Sequence, residues 1–179
     1  TLVNPDRLII LIEFLRHAKK VKGQAAELGV YKGGTARFIA EILSDKTVHL
    51  FDTFAGIPNT DILKDNMAKG ELSADFDSVK SFLSDLNNIK IHAGLFPDTA
   101  EGLEKEKFCF VHIDGDIYQS TKDACEFFYP KMNKGGIMMF DDYGFIRTPG
   151  VKLAVDKFFE DKIEHSIILK TGQCIVIKL

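Results

Sequence analysis

The chain has 179 residues, 45% of them apolar and 27% charged, and a formal net charge of -3. That length suits one domain able to bury roughly 70% of the surface its extended chain would expose. The acidic balance argues against a nucleic-acid-binding face, which needs a clustered basic patch, and no apolar run approaches the ~20 residues that cross a bilayer.

Residues 5–21 place Leu8, Ile9, Leu11, Ile12, Leu15 and Ala18 at helical spacing, behind Asn4 as N-cap and Pro5 in the first turn. Residues 24–28 predict a short strand ended by Gly29. Residues 34–43 predict a helix with Ala36, Ile39, Ala40 and Leu43 on one stripe. Residues 48–51 form a second buried strand that stops at Asp52. The polar stretch 53–74 is too long for an ordinary connection, and such loops tend to be lids or binding loops. A helix over 76–86, a strand over 89–93 and a short helix over 99–105 follow. Then come a strand over 108–113, a helix over 121–132, a strand over 137–140 and a helix over 151–159. Two strands, 165–169 and 173–178, close the chain around the Thr171-Gly172 turn. This alternation specifies an α/β fold with a doubly wound, mostly parallel sheet, to which the hairpin adds an antiparallel strand. The expected organisation is one domain over 1–179, with a helical segment at 1–22 and a substrate lid or loop at 53–75.

Two of these strands end in acids. Phe108-Cys109-Phe110-Val111-His112-Ile113 stops at Asp114-Gly115-Asp116, and Ile137-Met138-Met139-Phe140 stops at Asp141-Asp142. Parallel strands joined by a helix end on one edge, where open α/β sheets bind ligands. Carboxylates gathered there repel one another, and a hard dication such as Mg²⁺ is the usual way to neutralise them. A blander reading makes Asp114 and Asp116 caps of the next helix and leaves Asp141-Asp142 a solvated strand end. His92 and His112 lie in apolar patterns and read as satisfied core histidines, with His112 free to face away from Asp114. Tyr118 and Tyr143 divide between an acceptor pocket and plain packing.

Ahead of them, Gly29-Val30-Tyr31-Lys32-Gly33-Gly34-Thr35 joins a strand to a helix whose N-terminus offers unpaired N–H groups. The glycines allow a sharp turn and close approach to a ligand. Their spacing is not the G-x-G-x-x-G dinucleotide fingerprint. Asp52, at the tip of the next strand, is placed to accept both hydroxyls of a ribose. A nucleoside-bearing cofactor is therefore expected across this edge.

The phrases AELGVYKGGTARFIAE, FDTFAGIP, HIDGDIYQST and GGIMMFDDYG resemble the macrocin O-methyltransferase family. The resemblance covers about residues 23–159. It implies a class I methyltransferase sheet of seven strands, the last antiparallel and inserted beside the fifth. It also implies S-adenosylmethionine and Mg²⁺ (or another divalent cation) as cofactors, and a sugar hydroxyl as acceptor. By that resemblance Glu27, Gly29 and Tyr31 belong to the first cofactor motif, with Gly33 and Thr35 following in the same turn. Asp52 is the ribose acid, Gly94, Leu95 and Phe96 lie near the adenine, and Asp114, Asp141 and Asp142 are the metal ligands. Catechol O-methyltransferase places a lysine three residues after its first metal acid, whereas Ile117 stands here. The general base is therefore Asp116 or a metal-bound carboxylate such as Asp114.

The reading at this point is an S-adenosylmethionine- and metal-dependent O-methyltransferase acting on a small-molecule hydroxyl, with no nucleic-acid or membrane partner and a homodimer left open. Three rivals stand beside it: an NAD-dependent oxidoreductase, a Mg²⁺-dependent phosphohydrolase and a catalytically silent cofactor-binding domain. Cys109, Cys125 and Cys174 are an odd, widely spaced set that reads as buried thiols, which fits a reducing cytoplasm. The chain opens on Thr1, which leaves room for a missing or processed N-terminal piece.

Overall fold

Strands buried on both faces read as continuous apolar runs, and here they form the middle of one sheet. The computed structural model describes residues 1–179. Its strands are Gln24–Leu28 (β1), Val48–Asp52 (β2), Ile89–Ala93 (β3), Phe108–Ile113 (β4), Met132–Phe140 (β5), Ile167–Ile168 (β6) and Cys174–Ile177 (β7). They lie in the order β3-β2-β1-β4-β5-β7-β6. The first five are parallel, and β7 runs antiparallel between β5 and β6. This is the expected sheet, with the last strand inserted beside the fifth.

The helices are Pro5–Ala18 (α1), Gly34–Ile42 (α2), Phe76–Phe82 (α3), Tyr118–Phe128 (α4) and Pro149–Phe159 (α5). Leu11, Leu15, Ile39, Leu43 and Phe110 pack on one face of the sheet. Phe108, Phe128, Phe140, Val155 and Phe159 pack on the other. Phe128 has the rings of Phe108, Phe96 and Phe51 at 5.0, 5.4 and 6.1 Å. Truncating so enclosed a ring to alanine costs about 3–5 kcal/mol.

Several expected boundaries moved. The helix expected over 99–105 is a single 3₁₀ turn, Asp98–Ala100, because Gly102 takes a left-handed φ of 86° and ends it. Helix α4 starts three residues earlier than its apolar pattern does. Strand β5 also starts early, since Met132 pairs with Phe108 across a register shift that absorbs the Gly135-Gly136 pair. Finally α3 is shorter than 76–86. The caps behaved as read: Asn4 Oδ1 accepts the Arg7 N–H at 3.0 Å, and Pro5 fills the first turn. No helix is long and apolar enough to cross a membrane. The three cysteines are free and buried.

The loop at 53–75 is built rather than loose. Ile57 and residues 70–71 exchange backbone hydrogen bonds of 2.7 and 2.8 Å that close its neck. Ile57 and Met67 bury against Ile117 at the head of α4.

Candidate active site

The C-terminal edge of the parallel strands opens into one cleft. Its wall is made by residues 29–31 after β1, 52–53 after β2, 94–96 after β3, 114–116 after β4 and Asp142 after β5. Residues 1–3 and Arg7 close one side, and Ile57, Pro58 and Leu72 of the long loop close another. The space is about 1030 Å³ with solvent at its mouth included, the scale of a site for a nucleoside-sized ligand.

The turn after β1 is held by backbone and by one carboxylate. Gly29 sits at φ 92°, and a Cβ there would collide with the carbonyl oxygen of Asp114. Next to it the Asp114 N–H donates to Leu28 O at 2.8 Å, so the two strand ends touch main chain to main chain. Asp52 Oδ2 accepts the N–H groups of Val30 and Tyr31 at 2.8 and 2.7 Å, and Oδ1 accepts that of Phe54 at 2.7 Å. The carboxylate expected to take only a ribose thus first folds two loops of the cleft. Tyr31, Phe54 and Asp116 hold φ values of 50°, 56° and 60°, a region sparsely used by side chains other than glycine.

The acids do converge. Donor atoms of His112, Asp114 and Asp141 lie within 4.8 Å of one another, and Asp142 stands beside Asp114 and Asp116. Burial, then repulsion from Asp142 and Asp116, pushes the Asp114 carboxyl well above its usual range. Burial and Asp142 push Asp116 up to about 8. The cation in contact with the cluster is Arg7, from the first turn of α1, while Arg147 acts on Asp116 from further off. Arg7 Nη2 contacts Asp141 Oδ2 and lies 3.5 Å from Asp142 Oδ1, while the Arg7 guanidinium stacks over Phe145 at 4.6 Å. Gln173, just before β7, donates to Asp141 Oδ1 at 2.7 Å. Four carboxyl groups crowd around the one guanidinium in contact with them, and the raised Asp114 and Asp116 record that crowding. The cluster's oxygen-rich donor set fits a hard dication, with Arg7 the group that has to yield Asp141.

Several residues lie elsewhere than expected. Glu27 is fully buried behind the cleft rather than on its wall, because the strand's two-residue alternation turns it inward onto His112 Nδ1 at 3.0 Å. Gly33 is the left-handed N-cap of α2, buried against Leu83 and away from the cleft. Asp141 is also fully enclosed, under Arg7 and Gln173. Gly29, Tyr31, Thr35, Asp52, Gly94, Leu95, Phe96, Asp114, Asp116 and Asp142 line the cleft. His112 does not face away from Asp114: two residues apart on one strand, they share a side of the sheet. That period was the signal that could have found it.

Asp114 and Asp116 do not cap α4. Asp65 of the long loop does, accepting the Tyr118 N–H at 2.8 Å. Asp141 and Asp142 are buried, not solvated. Tyr118 and Tyr143 are packed away from the cleft, and the Tyr143 hydroxyl donates to Asp156 at 2.6 Å. Arg7, Gln173 and Asp65 reach the site from segments distant in the chain, so their local sequence does not mark them.

A family model described as macrocin-O-methyltransferase (TylF) matches residues 1–176. The chain belongs to that family. Two curated relatives resemble the chain to a moderate degree in sequence. The 8-demethyl-8-(2,3-dimethoxy-alpha-L-rhamnosyl)-tetracenomycin-C 4'-O-methyltransferase of Streptomyces olivaceus is 28% identical over 145 residues, 70% of this chain and 55% of that protein. The demethyldecarbamoylnovobiocin O-methyltransferase of Streptomyces niveus is 29% identical over 157 residues, 77% of this chain and 58% of that protein. The chain thus spans a little over half the length of these family members. The solved O-methyltransferase NovP superposes with a TM-score of 0.86 at 26% identity, over 99% of this chain and 81% of NovP.

Proposed function

We propose that this macrocin O-methyltransferase family chain moves a methyl group from S-adenosylmethionine to a hydroxyl of a small molecule, a sugar or a glycosylated natural product. The observation that carries the reading is the single cleft running from the glycine turn at 29–31 to Asp114, Asp116 and Asp142. A nucleoside end and an acceptor end are thereby offered in one continuous space. The relatives bear the names of O-methyltransferases of a rhamnosyl tetracenomycin and of demethyldecarbamoylnovobiocin, and the rhamnosyl group of the first favours a glycosylated acceptor.

In this reading residues 29–31, 52–53 and 94–96 hold the nucleoside. The carbon–sulfur bond of the sulfonium breaks as a carbon–oxygen bond forms, in line, with the acceptor oxygen about 3 Å from the methyl carbon. The hydroxyl proton passes to Asp116, which lines the cleft; burial raises its carboxyl to about 8, so the ionised form that accepts the proton gains population as pH rises toward that value. Asp114, Asp141 and Asp142 would hold a divalent cation, which when bound orients the acceptor oxygens and lowers the hydroxyl pKa. The loop at 53–75, anchored on the head of α4 by Asp65, shapes the acceptor end and excludes water.

The test is calorimetric and then chemical. S-Adenosylhomocysteine should bind and NAD should not. Labelled methyl from S-adenosylmethionine should then appear on a deoxysugar glycoside in Mg²⁺ and not in EDTA. Binding of NAD in place of S-adenosylhomocysteine would overturn the reading, and methylation undiminished by EDTA would remove the cation from it.

A further inference from the structure

We infer that Glu27 and His112 form a buried strut that sets the Asp141 carboxylate for cation binding, which makes His112 a positioning residue. The inference rests on the proposed cation role of Asp114, Asp141 and Asp142. Glu27 on β1 and His112 on β4 are register partners in the parallel ladder, and neither has any solvent exposure. Glu27 Oε1 holds the ring by Nδ1 at 3.0 Å. That leaves Nε2 as the atom presented to Asp141, with Oδ1 at 3.5 Å while Oδ2 is on Arg7.

Nε2 has no hydrogen-bond partner. Buried ring nitrogens are nearly always partnered, so one left over and aimed at a carboxylate asks for a role. The two oxygens of Asp141 divide the work. Oδ1 is the inner oxygen, approached by Gln173 Nε2 at 2.7 Å and by His112. Oδ2 is the outer oxygen, turned to the side from which the guanidinium of Arg7 comes. With Nδ1 accepting from a protonated Glu27, the ring proton sits on Nε2. Once the 3.5 Å gap to Oδ1 closes, His112 joins Gln173 as a donor there, and the two orient the carboxylate so that Oδ2 points at whatever cation occupies the cluster. Hydrogen-bond partners behind a ligating group are commonly worth about 10–100-fold in metal affinity. Glu27 lies two residues before Gly29, so the same strut ties the cofactor turn to the cation ligand across β4.

Two amides separate the roles of the two ring nitrogens. In His112→Asn the side-chain amide matches Nδ1 and keeps Glu27 satisfied, but stops short of Asp141. In His112→Gln the amide reaches the Nε2 position. Mn²⁺ and, separately, S-adenosylhomocysteine are titrated into the wild-type chain and both variants. His112→Asn should bind Mn²⁺ about 10–100-fold more weakly with S-adenosylhomocysteine affinity within about threefold, and His112→Gln should recover most of the loss. A folded His112→Asn with wild-type Mn²⁺ affinity overturns the inference, as does a parallel loss of both ligands. A wild-type chain that binds S-adenosylhomocysteine but no Mn²⁺ overturns the cation role itself, and the strut with it.

Discussion

Arg7 and Asp141, from opposite ends of the chain, meet as a buried ion pair at the C-terminal edge of the sheet. The guanidinium occupies ground that a dication would need. Removing one partner of a buried pair strands the other charge, at a cost of about 3–5 kcal/mol. Arg7→Met should therefore lose about that much stability in EDTA, measured by urea unfolding. Mg²⁺ should then stabilise Arg7→Met more than it stabilises the wild-type chain. An equal Mg²⁺ increment in both would mean that Arg7 and the cation do not share Asp141.

Asp116 carries opposite consequences for activity and stability. Its carboxyl is pushed up to about 8 by burial and Asp142, against about 3.9 in an unfolded chain. Between those values the folded chain keeps a proton that the unfolded chain releases, so the group's contribution to stability falls as pH rises. Asp116→Asn should therefore raise the Tm in EDTA at pH 8 more than at pH 4. Turnover should drop by about 10²–10⁴-fold. A variant with unchanged kcat removes Asp116 as the base.

His49 works in the other direction. Fully buried and bonded to His92 at 2.9 Å, it is lowered to about 4, first by burial and then by His92. Its unfolded value is about 6.5. As pH falls through that window the unfolded chain takes up a proton that the folded chain refuses, and stability is lost, by roughly 3 kcal/mol at most. Urea unfolding at pH 7 and pH 4.5 should show this loss, and His49→Gln should flatten it. A variant as acid-sensitive as the wild-type chain places the cause elsewhere.

Asp65 anchors the long loop on α4 through the Tyr118 N–H and also accepts the Asp61 N–H at 3.0 Å. Asp65→Ala should cost about 1–2 kcal/mol, the range of a lost helix cap. The acceptor KM should rise while S-adenosylhomocysteine affinity stays put. Equal damage to both ligands would show that the loop serves the whole cleft and not its acceptor end.

What the sequence made legible was periodic. Strands 24–28, 89–93 and 108–113 were readable to the residue because each stops at a glycine or an acid. The positions of Asp114, Asp116, Asp141 and Asp142 followed from those ends. The overreach at 99–105 came from a helix-compatible composition with only one turn of room before Gly102. Helix α4 begins ahead of its apolar pattern because Asp65, from another loop, accepts the Tyr118 N–H. Arg7 and Gln173 reach Asp141 only through tertiary folding, and nothing in their local sequence marks them. Glu27 and His112 are a different case, since two-residue alternation along β1 and β4 turns both inward and makes their pairing legible.

Gly29 leaves no room between its own main chain and the carbonyl of Asp114. The spacing between donor and acceptor ends is therefore a property of the chassis, indifferent to most substitutions around it. On the proposed reading, acceptor preference is expected to reside in the rim, chiefly the 53–75 loop and the turn after Asp142. Grafting that rim from one relative onto another should transplant acceptor preference while leaving the grip on the methyl donor intact.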